Sequence, residues 1–359
     1  MKKQFHSLIL SLCIAGIAQA DKLETVATFD ASTPPGNLAI APDGRLFMSV
    51  HEFYGPELRV VEVLKDGSTK PYPTEAWARA PKDNGVGLNG VLGLRVDRQG
   101  ILWMLDGQNS ERGGRVVGWD TRSESLHKVF YLAKPTTRAT SFLNDLAIDN
   151  SNNAIYIADT GDGKNSALII VDMNTGKTRR VLEGSKYTVP ENIDMVIDKK
   201  VVHLGENPAR IGVNPITVDP TNTWVYFAPM SGQSMYRIET KYLLDESLSN
   251  QALEANVERY GSKPISDGTT VDADGNVYIT SVTDHSIGVI RPDGSYDVLH
   301  QSKKTLPWPD GFAVGVDGYI YTTINELFRS PPLNGGKNDA KGKFKIVRFK
   351  GEGPLINGR

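Results

Sequence analysis

Four side chains recur at one position of a repeated phrase. Asn144, Asn214, Asp267 and Asp310 each stand just before a short apolar segment that ends in a turn: Asn144-Asp-Leu-Ala-Ile-Asp149, Asn214-Pro-Ile-Thr-Val-Asp219, Asp267-Gly-Thr-Thr-Val-Asp272, Asp310-Gly-Phe-Ala-Val-Gly315. Oxygen-bearing side chains that meet on an axis make a site for a hard cation, and calcium is the ion they suit. Taken singly, an Asx before a strand also caps its turn by accepting backbone N–H bonds. Two earlier copies of the phrase offer Gly36 and Leu92 at the same slot, with Asn37 and Asn89 nearby.

A second set of polar residues follows the next strand of each copy. It comprises His51, Asp106, Asp159, Asp284 and His285, and the segment lengths bring these loops to the same end of the molecule. His51 or His285 is placed to act as a general base toward a metal-bound water or an ester carbonyl. Asp106, Asp159 and Asp284 are candidate ligand contacts, and Asp106 and Asp159 equally read as turn caps. Phe53, Tyr54, Trp308 and Phe312 offer walls for an apolar or cationic ligand, or simply core packing. Asp149, Asp219, Asp272 and Asp317 sit in hairpin turns and read as structural. His127, His203 and His300 read as surface or packing residues.

The elements that must carry these groups are strand–turn–strand units. In 265–290 two strands flank Asp274-Gly275, with glycine supplying the positive φ of a hairpin turn. Six such units at irregular spacing predict an all-β fold, a six-bladed β-propeller. The last unit lacks a fourth strand, and the lone strand at 23–29 is expected to supply it, closing the ring and removing two open edges. A longer connection at 185–211 carries an apolar hairpin. Residues 240–260, with Leu243, Leu244, Leu248 and Leu253 near one face, predict a helix or two on the outside.

The 359 residues carry a formal charge of −2 and no basic run, which argues against a nucleic-acid surface. Residues 1–20 read as an export signal: Lys2-Lys3, an apolar run at 8–17, then Ala18-Gln-Ala20. The run is too short to span a bilayer. The expected organisation is therefore a signal at 1–20 and one propeller domain at 21–359, secreted or periplasmic. Cys13, the only cysteine, lies in the signal, so the remaining chain has neither disulfide nor thiol chemistry. Gly85-Val-Gly-Leu-Asn-Gly90 spells a dinucleotide-loop pattern, but no strand precedes it and no helix follows. No catalytic serine elbow, zinc helix or phosphate loop is present.

Residues 142–180 (FLNDLAID…AIYIADTG…ALIIVDMNTGKTRR) and 216–246 (ITVDPTNTWVYFAPMSGQSMYRIETKYLLDE) resemble the Yellow/major royal jelly protein family, as do 102–106 and 266–290. The resemblance spans nearly all of 21–359 and implies a secreted six-bladed propeller, here in a bacterial setting. Some insect members are pigmentation, storage or signalling proteins, and some salivary members bind biogenic amines in the central channel. Those disulfide-bonded insect proteins differ from this chain in their cysteines. More distantly, the chain is similar to the regucalcin/gluconolactonase and paraoxonase propellers. These place Asn and Asp metal ligands at the slot of Asn144, Asn214, Asp267 and Asp310, and hydrolyse lactones or esters; the glutamate they use near the first blade is not evident here. Two functions are expected from this. One is a small-molecule binder at the channel mouth. The other is a calcium-dependent lactonase or esterase-like hydrolase with His285 or His51 moving the proton. A propeller face that docks another protein is a third.

Overall fold

The structure is a computed structural model, and it describes residues 22–82, 85–107 and 113–359. The expected export signal, with Cys13, lies outside the described residues.

Six four-stranded antiparallel sheets are arranged as blades of a propeller. The innermost strands are Pro35–Ile40, Val91–Val96, Leu143–Asp149, Val213–Val218, Thr269–Val271 and Trp308–Val314, in blades one to six. Their burial does not alternate along the strand, because each blade is covered on both faces by its neighbours. Each neighbouring pair of blades shares an apolar layer, such as Leu38, Met48 and Val61 against Ala313, Tyr321 and Phe344 between blades one and six.

The N-terminal strand closes the ring as expected. Glu24–Phe29 pairs antiparallel with Phe344–Lys350, from Glu24 opposite Arg348 to Phe29 opposite Phe344. A second closure was not foreseen. Residues 351–359 run across the far end of the channel and touch every blade. Asn357 Nδ2 donates to Ile40 O at 2.9 Å in blade one and to Val314 O at 2.6 Å in blade six. Gly358 lies against Arg98 of blade two, and its carbonyl accepts from Asn150 of blade three at 2.8 Å. Arg359 is buried, donating to Val218 O of blade four at 2.6 Å and to Val271 O of blade five.

The turn aspartates are structural. Asp149 and Asp272 each accept backbone N–H bonds within their turns and the hydroxyl of a tyrosine on the next strand, Tyr156 at 2.9 Å and Tyr278 at 2.8 Å. Asp97 does the same with the Trp103 indole at 2.8 Å.

Two expectations are refined. The helical stretch is two short helices, Thr240–Leu244 and Asn250–Glu254, and the chain then returns as Glu258–Ser262, the outer strand of blade four. The long connection forms two small hairpins, Val196–Ile197 with Lys200–Val201 and His203–Leu204 with Asn207–Pro208. Among the described residues, no helix is long and apolar enough to cross a membrane.

Candidate functional site

In five of the six blades the slot at the start of the inner strand reaches the channel because of a repeated irregularity, and in blade five Asp267 precedes the paired part of the strand. In blades one, two, three, four and six the pairing of the first two strands slips at the same place, for example between Leu143 and Asp145 and between Pro309 and Phe312. A bulge leaves its residues out of the ladder and re-aims their side chains. The residues that precede the regular part of the strand therefore face the axis. Asn144, Asn214, Asp267 and Asp310 are brought together on one cavity of about 570 Å³ at the channel mouth.

Glycine lets these strand ends crowd the axis. A Cβ on Gly311 would lie 2.2 Å from Asn37 Oδ1, and one on Gly268 would lie 2.0 Å from Asp310 O. In blade three the equivalent position is not glycine but Asp145, and its carboxylate crosses to blade one. Asn37 Nδ2 donates to Asp145 Oδ1 at 2.6 Å, while Arg95 of blade two donates to Asn37 Oδ1 at 3.0 Å and lies 3.7 Å from Asp145 Oδ2. Sequence reading missed Asp145 and Arg95. The available signal was the Asn-Asp doublet, where the other blades carry Gly, Pro or a lone Asn.

The cavity floor thus holds two buried carboxylates, Asp145 and Asp267, and a half-buried third, Asp310. Asp145 has Arg95 beside it; Asp267 and Asp310 have only neutral donors. Asp267 accepts from Asn214 Nδ2 at 2.7 Å and from the Trp308 indole at 2.7 Å, and Asp310 accepts from Asn325 Nδ2 at 2.8 Å. Burial pushes the Asp267 carboxyl up to about 6, against the pull of its two donors. Burial raises Asp310 well above the carboxylate range, with the charges of Asp267 and Asp145 adding to it. Asn144 is half-buried beside them.

The walls are mostly apolar, including Phe53, Leu92, Phe142, Met230 and Trp308. Insertions above the blades form a separate apolar cluster over the mouth, joining Met195, Ile197 and Val202 of the connection to Trp308, Leu327 and Leu333. The exposed lining residues Ala139, Thr140, Asp162, Leu204 and Arg210 mark the open side, over blade three.

Of the two candidate bases, His51 lines this cavity and His285 does not. His51 is buried, and its Nδ1 accepts from Phe53 N at 3.2 Å. Burial pushes its imidazole down to about 3, so the ring is neutral. A ring held this way is a poor base and a good donor. His285 sits in the turn after the second strand of blade five, its Nδ1 3.0 Å from Pro307 O and its Nε2 3.5 Å from Asp198.

The remaining expected contacts divide in the same way. Trp308 lines the cavity, but Phe312 does not. It stands past the bulge, opposite Thr322, and its ring packs between blades five and six against Phe349. Tyr54 packs against Phe344 instead of lining the wall. Asp106 accepts from Asn89 N, Gly90 N and Arg115 Nε at 2.8, 3.1 and 2.8 Å. Asp159 likewise holds Phe142 N at 2.8 Å, Gly161 N at 3.0 Å and Arg180. Both lie at second-strand ends, where the nearest groups are the free N–H donors entering their own blade, so they are caps. Asp284 is exposed and bonds Ser281 Oγ at 2.8 Å.

Residues 89–330 match the model of the major royal jelly protein family. The chain belongs to that family. The match takes in Arg95, Asp145, Asn214, Asp267, Trp308 and Asp310, while Asn37 and His51 precede it. Two relatives are major royal jelly protein 3 and major royal jelly protein 1 of Apis mellifera. They are 24% identical over 260 and 188 residues, or 66% and 48% of this chain. The matches span only 45% and 41% of those longer proteins. Among solved structures, a luciferin-regenerating enzyme has a TM-score of 0.59 at 11% identity, covering 94% of this chain and 98% of that one. Regucalcin, a calcium-binding protein from Agrobacterium tumefaciens, has 0.56 at 13%, covering 93% and 98%. A gluconolactonase from Xanthomonas campestris has 0.55 at 12%, covering 92% and 89%. At these identities the likeness is one of fold. This major royal jelly family member therefore has a propeller cavity with an acidic floor, apolar walls and one neutral buried histidine.

Proposed function

We propose that this family member binds a small organic cation in the cavity at its channel mouth, without turning it over. One observation carries the reading. Asp267, buried, and Asp310, half-buried, stand at the base of an apolar-walled cavity with neutral donors only. Buried carboxylates without a cation are costly, and a ligand that brings one relieves the cost. Phe53, Phe142 and Trp308 suit the apolar part of such a ligand, and aromatic faces also attract cations. The test is calorimetry and thermal shift with a panel of aryl-alkylammonium ions and their uncharged isosteres, on wild type and Asp267→Asn. The charged members should bind and the isosteres should not, and Asp267→Asn should lose at least about tenfold in affinity, the order expected for a charge pair in low dielectric. Equal binding of charged and neutral members would end this reading.

A second reading is a calcium-dependent lactonase or esterase-like hydrolase. It is favoured by the convergence of Asn144, Asn214, Asp267 and Asp310 on one cavity, with Asp145 adding a further carboxylate. Their oxygens suit calcium, which would polarise a carbonyl held against it. Against it, Asp267 and Asp310 already accept from Asn214, Trp308 and Asn325, and His51 is a neutral donor in place of a base. Calcium titration of chelator-stripped protein, followed by melting temperature and by lactone and ester hydrolysis, separates the two readings. We further place the protein outside the cytoplasm, on the strength of residues 1–20. Amino-terminal sequencing of the exported protein, expected to start at Asp21, tests that placement.

A further inference from the structure

We propose that His51 is the specificity-determining donor of the cavity, giving its Nε2–H to a neutral acceptor atom on the ligand. The proposal rests on the cation-binding reading above and adds the ligand's second functional group. His51 is only 5% exposed, and it lines the cavity. Its Nδ1 accepts the backbone N–H of Phe53, which leaves the proton on Nε2. His51 lines the cavity, and with Nδ1 turned to its own backbone, Nε2 is the ring nitrogen left for a ligand. The ring cannot turn away easily: Phe53 lies 4.8 Å and Tyr54 6.4 Å from it, both edge-on, and Cδ2 faces Gly36.

Three other floor donors are already engaged, while Asn144 is only half-buried. Asn37 Nδ2 is taken by Asp145, Asn214 Nδ2 by Asp267 and the Trp308 indole by Asp267. His51 therefore offers a buried N–H that a ligand lacking an acceptor would leave unsatisfied, a loss that makes such sites selective. The acidic floor repels carboxylate and phosphate. The acceptor is then an uncharged ether, hydroxyl, carbonyl or ring nitrogen on a molecule that also carries a positive charge.

The experiment uses three pairs of aryl-alkylammonium ions with one-, two- and three-methylene linkers. Each pair has a methoxy group in one member and an ethyl group of the same size in the other. Binding to the full chain is measured by calorimetry for wild type, His51→Phe and His51→Gln, with each variant's melt recorded. For at least one linker the methoxy member should bind wild type about 3- to 10-fold tighter, as one net hydrogen bond predicts. His51→Phe should abolish that preference, and His51→Gln, which keeps an N–H donor, should restore part of it. Equal binding of both members to wild type, or a preference that survives in His51→Phe, overturns the role of His51 while leaving cation binding intact. Failure of every ammonium ion to bind overturns both. Independently of any ligand, the ¹⁵N spectrum of the imidazole should show a protonated Nε2 and a bare Nδ1, and the opposite tautomer overturns the proposal.

Discussion

The indole Nε1 of Trp308 and the Oδ2 of Asp267 are 2.7 Å apart, across the junction of blades five and six. The same indole stacks on Phe328 at 6.4 Å, so an apolar wall residue also holds an acid of the floor in place. Trp308→Phe keeps the wall and removes the donor. It should destabilise the protein by about 1–3 kcal/mol, the cost of depriving a buried charged acceptor of a partner. Urea unfolding at neutral pH measures this, and the loss should shrink at acid pH, where Asp267 is protonated.

The same carboxylate imposes a pH dependence. Its folded value of about 6 lies above the ordinary 3.8, so between these limits the folded protein holds more protons than the unfolded chain. Stability from this group therefore falls as pH rises from about 4 to 6 and levels off above that, by up to about 3 kcal/mol. Denaturant unfolding of wild type and Asp267→Asn across this range should show the variant gaining on wild type as pH rises. Parallel curves would mean that Asp267 is ionised in the folded state throughout.

Asp106 separates capping from binding. Its carboxylate is fully spent on Asn89 N, Gly90 N and Arg115, away from the cavity. Asp106→Ala should cost about 1–3 kcal/mol in stability by depriving two N–H groups and a half-buried arginine of their acceptor. Its affinity for the ammonium probes should stay within about twofold of wild type, inside the range expected for distant, independent sites.

Gly311 tests the crowding of the axis. A methyl there would meet the Asn37 amide at 2.2 Å. Gly311→Ala should lower stability by about 1–3 kcal/mol, as overpacking does. It should also weaken probe binding, since Asn37 holds Asp145 in place.

Both closures of the ring are open to truncation. Removing residues 22–30 takes away the strand paired with Phe344–Lys350, and stopping the chain at 355 takes away Asn357 and Arg359. Each change should lower the melting temperature, by roughly 1–2 °C for every kcal/mol lost in a chain of this size. The second should also open the far end of the channel, read as faster acrylamide quenching of tryptophan fluorescence.

The repeat was legible because each blade is built from short-range chemistry. A turn aspartate such as Asp149 or Asp272 bonds its own turn and an aromatic residue about seven positions on, so the phrase recurs visibly along the chain. The four aligned Asx residues were legible for the same reason, since one strand register places them all. Asp145, Arg95 and the choice between His51 and His285 were not. Those depend on which loop folds over the mouth and on what lies across the axis.

What the sequence determined by itself is therefore the blade, its turns, the count of six and the lone strand that completes the last sheet. The blade, its turns and the count follow from hydrogen bonds within a few tens of residues, and the lone strand from the one sheet left a strand short, to which it pairs across more than 300 positions. The tertiary structure alone decided that the Asx side chains meet on one axis, helped by slips in strand pairing at Asn144, Asn214 and Asp310. It also decided that Asn37 meets Asp145 across 108 positions of sequence and that Asn357 reaches Ile40 across 317. No local pattern encodes such contacts, because they exist only once the ring has closed and brought the strand ends to a common centre.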